Sequence, residues 1–112
     1  MKHLTLAASL FFAMSIAHAQ ATVAKVSALS SGKLLLNGQP ATLTAIESEF
    51  QKLKNAKGAV WYYRQNPRNE PPPQAMQVIQ LVIKYGLPVS MSSKPDFTDY
   101  IDENGQSKQR KP

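Results

Sequence analysis

The sequence predicts an α+β fold, a small sheet of about four strands with two helices packed on one face. Three observations predict it. The stretch Ala59–Ser93 reads as strand, loop, helix, turn and strand. Leu43, Ile46, Phe50 and Leu53 recur at three- and four-residue intervals, the stripe of a second amphipathic helix. Between the N-terminal apolar runs lies Asn37-Gly38, a strong short hairpin signal. The resulting order is β-β-α-β-α-β, and a sheet with an apolar face buries it under the helices.

In chain order, Val26–Leu29 suits a short strand, Ser30-Ser31-Gly32 a turn, and Lys33–Leu36 a second strand. Asn37-Gly38 closes that strand, and Gln39–Leu43 continues as a hairpin arm. For the first helix, Thr44 with Glu47 three residues later fits a capping box, with Thr42 as a rival N-cap. Lys52, Lys54 and Lys57 crowd its last turns, where cations suit the helix dipole, and Gly58 ends it.

Ala59–Tyr63 is aromatic and β-branched, as a half-buried strand requires. After the polar loop Arg64–Glu70 come Pro71, Pro72 and Pro73. Proline lacks an N–H and fixes φ, which suits a helix start, and it pushes its predecessor out of the α region. The second helix therefore begins at Pro73 with Pro72 outside it. It runs to Tyr85 and packs a Met76–Ile79–Ile83 face on the sheet, joined by Ala75, Val78 and Val82. Gly86 is placed as the left-handed residue past its end, and Pro88 forbids continuation. Leu87, Val89 and Met91 then alternate with Pro88, Ser90 and Ser92, predicting a half-buried strand. Beyond a turn at Ser92–Asp96, Phe97, Tyr100 and Ile101 form a last short element. Glu103–Pro112 is polar and charged, and reads as a disordered tail.

The chain has 112 residues, one small domain's worth. Lys2 and His3 precede an apolar run, Leu4–Ala17, and Ala17-His18-Ala19 is an A-x-A cleavage site. Residues 1–19 are thus expected to be a signal peptide, with 20–102 a single domain and 103–112 the tail. Removing 19 residues from 112 leaves 93, with twelve basic residues against seven acidic, or +5. It also removes both histidines, His3 and His18, and the chain has no cysteine. The remainder cannot build a Ser-His-Asp or Cys-His catalytic site, a typical zinc site or a disulfide. No enzyme activity, cofactor or metal is expected, and no integral membrane span after cleavage.

Four residues stand out as candidate binding residues. Trp61 and Tyr63 point to one side of their strand, away from Val60 and Tyr62. If the helices cover the other face, this aromatic pair is either a binding platform or dimer contact, or part of the domain's own core. Arg64 and Arg68 flank a loop rich in Asn, Gln and Pro, either gripping a carboxylate or phosphate or standing in solvent. Lys52, Lys54 and Lys57 are explained by the helix end, and the modest charge does not point to nucleic acid. Asp96, Asp99 and Asp102, spaced by three, lack an EF-hand pattern and read as a solvated acidic surface.

The arrangement resembles the periplasmic domain of the ExbD/TolR family of biopolymer-transport proteins. The similarity runs through Lys33-Leu34-Leu35-Leu36-Asn37-Gly38-Gln39-Pro40, Ala41-Thr42-Leu43-Thr44-Ala45-Ile46, the Trp61 strand, the Met76–Tyr85 helix and the Gly86–Met91 strand. It runs from residue 33 to residue 91, a span of roughly sixty residues. The resemblance implies a sheet with two helices, a tendency to dimerise, and work beside a proton-driven motor or the cell wall. Two departures matter. The family's N-terminal membrane helix with its proton-coupling aspartate is replaced by a signal peptide, and Arg64 stands where the family tends to have an aspartate. The expectation is therefore a periplasmic or secreted binding or adaptor module. Its partner would be a protein of the cell envelope or the cell wall, with a possible homodimer. The rival is a secreted inhibitor or immunity-type protein.

Overall fold

A computed structural model of the chain describes residues 22–111. The predicted signal peptide and Gln20 lie outside them. The fold is α+β. Strands β1 (Val23–Ala28), β2 (Leu34–Leu36) and β3 (Gln39–Pro40) precede helix α1 (Leu43–Ala56). Strand β4 (Ala59–Arg64), helix α2 (Pro73–Lys84) and strand β5 (Val89–Ser92) follow, and then β6 (Asp99–Ile101) and β7 (Ser107–Gln109). Five strands form one mixed sheet in the order β3-β2-β1-β4-β5, and β6-β7 form a separate two-stranded ribbon.

β1 is central. It pairs antiparallel with β2, Val26 opposite Leu36, and parallel with β4, Val23 opposite Ala59. β5 lies parallel to β4, Tyr62 opposite Met91. The turn from β2 to β3 has Asn37 at φ 52° and Gly38 at φ 84°, the left-handed pair a two-residue hairpin requires. Asn37 Oδ1 also accepts a hydrogen bond from Lys25 N at 2.9 Å.

Strand alternation splits the sheet into two faces. Ala24, Val26, Ala28, Val60 and Tyr62 point under the helices, where they are buried with Ile46, Phe50 and Leu53 of α1 and Ala75, Val78 and Val82 of α2. α1 thus buries the predicted stripe. α2 buries only part of the predicted face: Ala75, Val78 and Val82 are buried, but Met76 and Ile83 are 48% and 72% exposed, and Ile79 is half-buried. Met76 and Ile83 share a flank beyond the last strand, with no further layer among the described residues to cover it. The smaller Ala75, Val78 and Val82 fit the close approach to the sheet.

Capping also departs in detail. Thr42, not Thr44, is the N-cap of α1, and its Oγ1 accepts from Ala45 N at 3.1 Å. At the other end Lys57, not Gly58, takes the left-handed conformation, with φ 56°. Gly58 answers a different need. A Cβ there would sit 2.6 Å from both Leu53 Cδ2 and Thr22 O, so only glycine lets the helix turn back into β4. α2 starts at Pro73 with Pro72 as its cap, as predicted. It ends in a Schellman arrangement: Gly86 N donates to Ile83 O and Leu87 N to Val82 O, with Gly86 at φ 60°.

The largest correction is at the C-terminus. Residues 107–109, expected inside a disordered tail, are β7, with Ser107 opposite Ile101 and Gln109 opposite Asp99. Asp102 Oδ1 accepts from Asn104 N and Gln106 N, and Gly105 supplies φ 79°. These three groups make the turn.

Candidate interaction surfaces

Trp61 and Tyr63 lie on the sheet face away from the helices, the condition under which the sequence offers them as a platform or contact, and both are half-buried there. What covers them is the chain's own C-terminal segment. Phe97 is buried edge-on against Tyr63, with ring centroids 6.4 Å apart and planes at 78°. The Arg110 guanidinium lies 3.8 Å from the centroid of the Trp61 ring, and Lys25 Nζ lies 5.5 Å from it. Both are within range of attraction to the indole π cloud. Arg110 Nε donates to Phe97 O at 3.1 Å and Nη2 to Ser92 Oγ at 2.9 Å, tying the segment to β5. Phe97 holds φ 60°, an unfavourable backbone for a bulky residue, sustained by the ring's burial.

Asp99 is the polar anchor of this cover. It is 2% exposed, not part of a solvated acidic surface. Burial pushes its carboxyl up, but hydrogen bonds from Ser107 Oγ, Ser93 Oγ and Ser93 N outweigh that and hold it below the ordinary carboxylate range. Asp96 caps Thr98, and Asp102 closes the β6-β7 turn, so the three aspartates serve three separate local tasks. No group of three or more His, Cys, Asp or Glu among the described residues could hold a metal ion.

Arg64 and Arg68 are not brought to the aromatic pair. Arg64 follows Val60 and Tyr62 onto the opposite face. Its Nη2 donates to Pro67 O at 2.7 Å and to Asn69 O, folding the loop over its own strand. Its Nε is buried with no acceptor among the described residues. Arg68 stands exposed on the loop. Burial pushes the nearby Tyr62 phenol up, and the Arg64 charge opposes this.

The two edges of the sheet differ. β3 is two residues long and contains Pro40, which has no N–H to offer. β5 is four residues long, carries no charge or proline, and has no outer neighbour in the sheet. Val60 N donates to Pro88 O, so alternation turns the N–H and C=O of Val89 and Met91 outward. The side chains of Val89 and Met91, expected inside, face the helix side but remain 43% and 42% exposed because this strand is the edge. Met91 shares a hollow with Met76 and Ile79 on that side. Alternation alone cannot separate an edge strand from a central one, so the sequence reads Val89 and Met91 only as the inner side of a half-buried strand. Arg110 was hidden for another reason: its function depends on a ring far away in sequence.

No helix among the described residues is long and apolar enough to cross a membrane. No family model matches the chain, and no curated protein matches it.

Proposed function

We propose that this chain is an exported, non-catalytic adaptor that binds a protein partner along β5 in the cell envelope. In this reading it is a counterpart of the periplasmic domain of ExbD/TolR proteins. One observation carries the reading: β5 is an open, uncharged edge flanked by exposed Met76, Val89 and Met91, in a sheet whose other edge is blunted. Natural sheets protect such edges with charge, proline or brevity, and an unprotected one is a docking strand. The mature sequence without histidine or cysteine supports a binding role over a catalytic one. The same edge suits two-fold pairing with a second copy.

Capture from envelope extract tests the reading, with the wild-type mature chain beside Met91→Pro and Met91→Thr. Proline removes an outward N–H and leaves the β4-β5 ladder intact, while threonine keeps that donor. Wild type and Met91→Thr should retain the same envelope component, and Met91→Pro should lose it. Capture unaffected by proline would overturn the edge assignment. Capture of a single degradative enzyme would favour the inhibitor reading. Sedimentation of the mature chain at rising concentration tests self-pairing, and a monomer at high micromolar concentration would exclude it.

A further inference from the structure

We propose that the end of β5 reads a carboxylate, so that the strand added to this edge is an apolar segment carrying an acidic residue. This rests on the β5 edge reading above and specifies its partner. Two hollows meet at Met91. One, of about 150 Å³, lies on the helix side between Tyr62, Pro67, Met76 and Ile79. The other, of about 290 Å³, lies between Pro67, Ser92, Ser93 and Ile101. Successive side chains of an added strand point to opposite sides of the sheet, so an incoming segment would offer neighbouring residues to the two hollows in turn.

Arg64 lines both hollows, and it is the one charged residue that does. No acidic side chain balances it there, and the mature chain as a whole is basic, twelve positive residues against seven negative. Its Nη2 is committed to Pro67 O and Asn69 O, while its Nε has no acceptor among the described residues. A guanidinium with an unsatisfied donor, beside apolar hollows, favours an oxygen anion over an amide or a cation. A carboxylate arriving on a docked strand meets the positive charge of this guanidinium, and a basic segment is repelled.

The probe is a heptapeptide, acetylated and amidated, alternating threonine with valine or leucine and bearing one glutamate, compared with its glutamine twin. The mature chain keeps two methionines, Met76 and Met91, one on the helix-side hollow and one shared by both. Methyl-labelled methionine therefore reports each hollow by NMR, and the backbone amides of Val89–Ser92 report strand addition. The glutamate peptide should move both methyls and these amides, and should bind at least tenfold more tightly than its twin. The preference should fall below about threefold in Arg64→Gln and be partly kept in Arg64→Lys, which retains the charge without the Nε donor. Equal affinity of the twins, with the β5 amides shifting, would overturn the carboxylate preference and leave the edge reading standing. Unmoved amides with both peptides would overturn the edge reading and this inference with it. Shifts that follow protein concentration without peptide would assign the edge to a second copy and overturn the inference.

Discussion

The two faces of the five-stranded sheet are held by different physics. The helix face is closed by aliphatic and aromatic groups with no exposed surface: Val26, Ile46, Phe50, Leu53, Val60 and Val78 are all at 0%. The other face is closed by one edge-to-face ring contact, two cations against Trp61 and a carboxylate ringed by serines. Burial of apolar surface is cumulative and involves no titrating group, at roughly 25 cal/mol per Å². Cation–π contacts contribute about 0.5–2 kcal/mol each. The helix face should therefore set the global stability, and the opposite face should open locally at lower cost.

The strongest test of that contrast is Val78→Asp. It removes a fully buried aliphatic side chain and puts an unpartnered carboxylate in its place, at a cost of about 4 kcal/mol or more. Small domains hold about 5–15 kcal/mol in total, so this variant should be largely unfolded by circular dichroism. Gln77→Asp, on the exposed side, should melt like the wild type. Equal melting of the two would break the assignment of the α2 face.

Gly58→Ala comes next. Its Cβ meets Leu53 and the Thr22 carbonyl at 2.6 Å, and forcing the corner apart should cost about 1–3 kcal/mol, read as a lower melting temperature. Phe97→Ala should act differently. Amide exchange should quicken in β6 and β7, while the amides of β1 and β4 change little. Uniform acceleration would show that the two faces are one cooperative unit.

Acid separates the faces without mutation. The Asp99 carboxyl is held below its ordinary value of about 3.9, so the stability it contributes is present above that pH. It is lost as pH falls through the depressed folded value. Acidification below about pH 4 should release the β6-β7 ribbon before the helix face, seen as loss of the Ser107–Gln109 amide dispersion, and Asp99→Asn should remove that pH step. The smallest effect is expected at Glu47, whose Oε2 accepts from Lys84 Nζ at 2.8 Å and Tyr85 Oη at 2.7 Å across the helices. Those bonds lower its carboxyl, but the pair is exposed, and Glu47→Gln should leave the melting temperature unchanged at physiological salt.

The helix face was legible because its signals are local. Periodicity placed α1, proline chemistry placed the start of α2, and Asn37-Gly38 placed the hairpin. The face of α2 was misread in part because Met76 and Ile83 carry more apolar bulk than Ala75 and Val78, and bulk is not burial. The opposite face is legible only in part. Asn104-Gly105 repeats the dipeptide of the first hairpin and signals the β6-β7 turn, yet the flanking residues, Asp99–Ile101 and Ser107–Gln109, lack the apolar alternation that usually accompanies it. Strand alternation separated Trp61 and Tyr63 from Val60 and Tyr62, but left open which side the helices cover. Phe97 and Arg110, which cover Trp61 and Tyr63, are joined to them by tertiary contacts that no local pattern encodes.

The position of β1 bears on how the molecule assembles in time. It is the first strand among the described residues and the middle strand of the sheet, and its parallel partner β4 is separated from it by a hairpin and all of α1. Bringing Val23 to Ala59 closes a long loop before the ladder returns any free energy, and such pairings slow folding relative to helical bundles. The β6-β7 ribbon, made of neighbours in sequence, has no surface to settle on until β4 and β5 are in place. Substitutions in α1 or β4 should therefore show mainly in the folding rate, and those at Phe97 or Arg110 mainly in the unfolding rate.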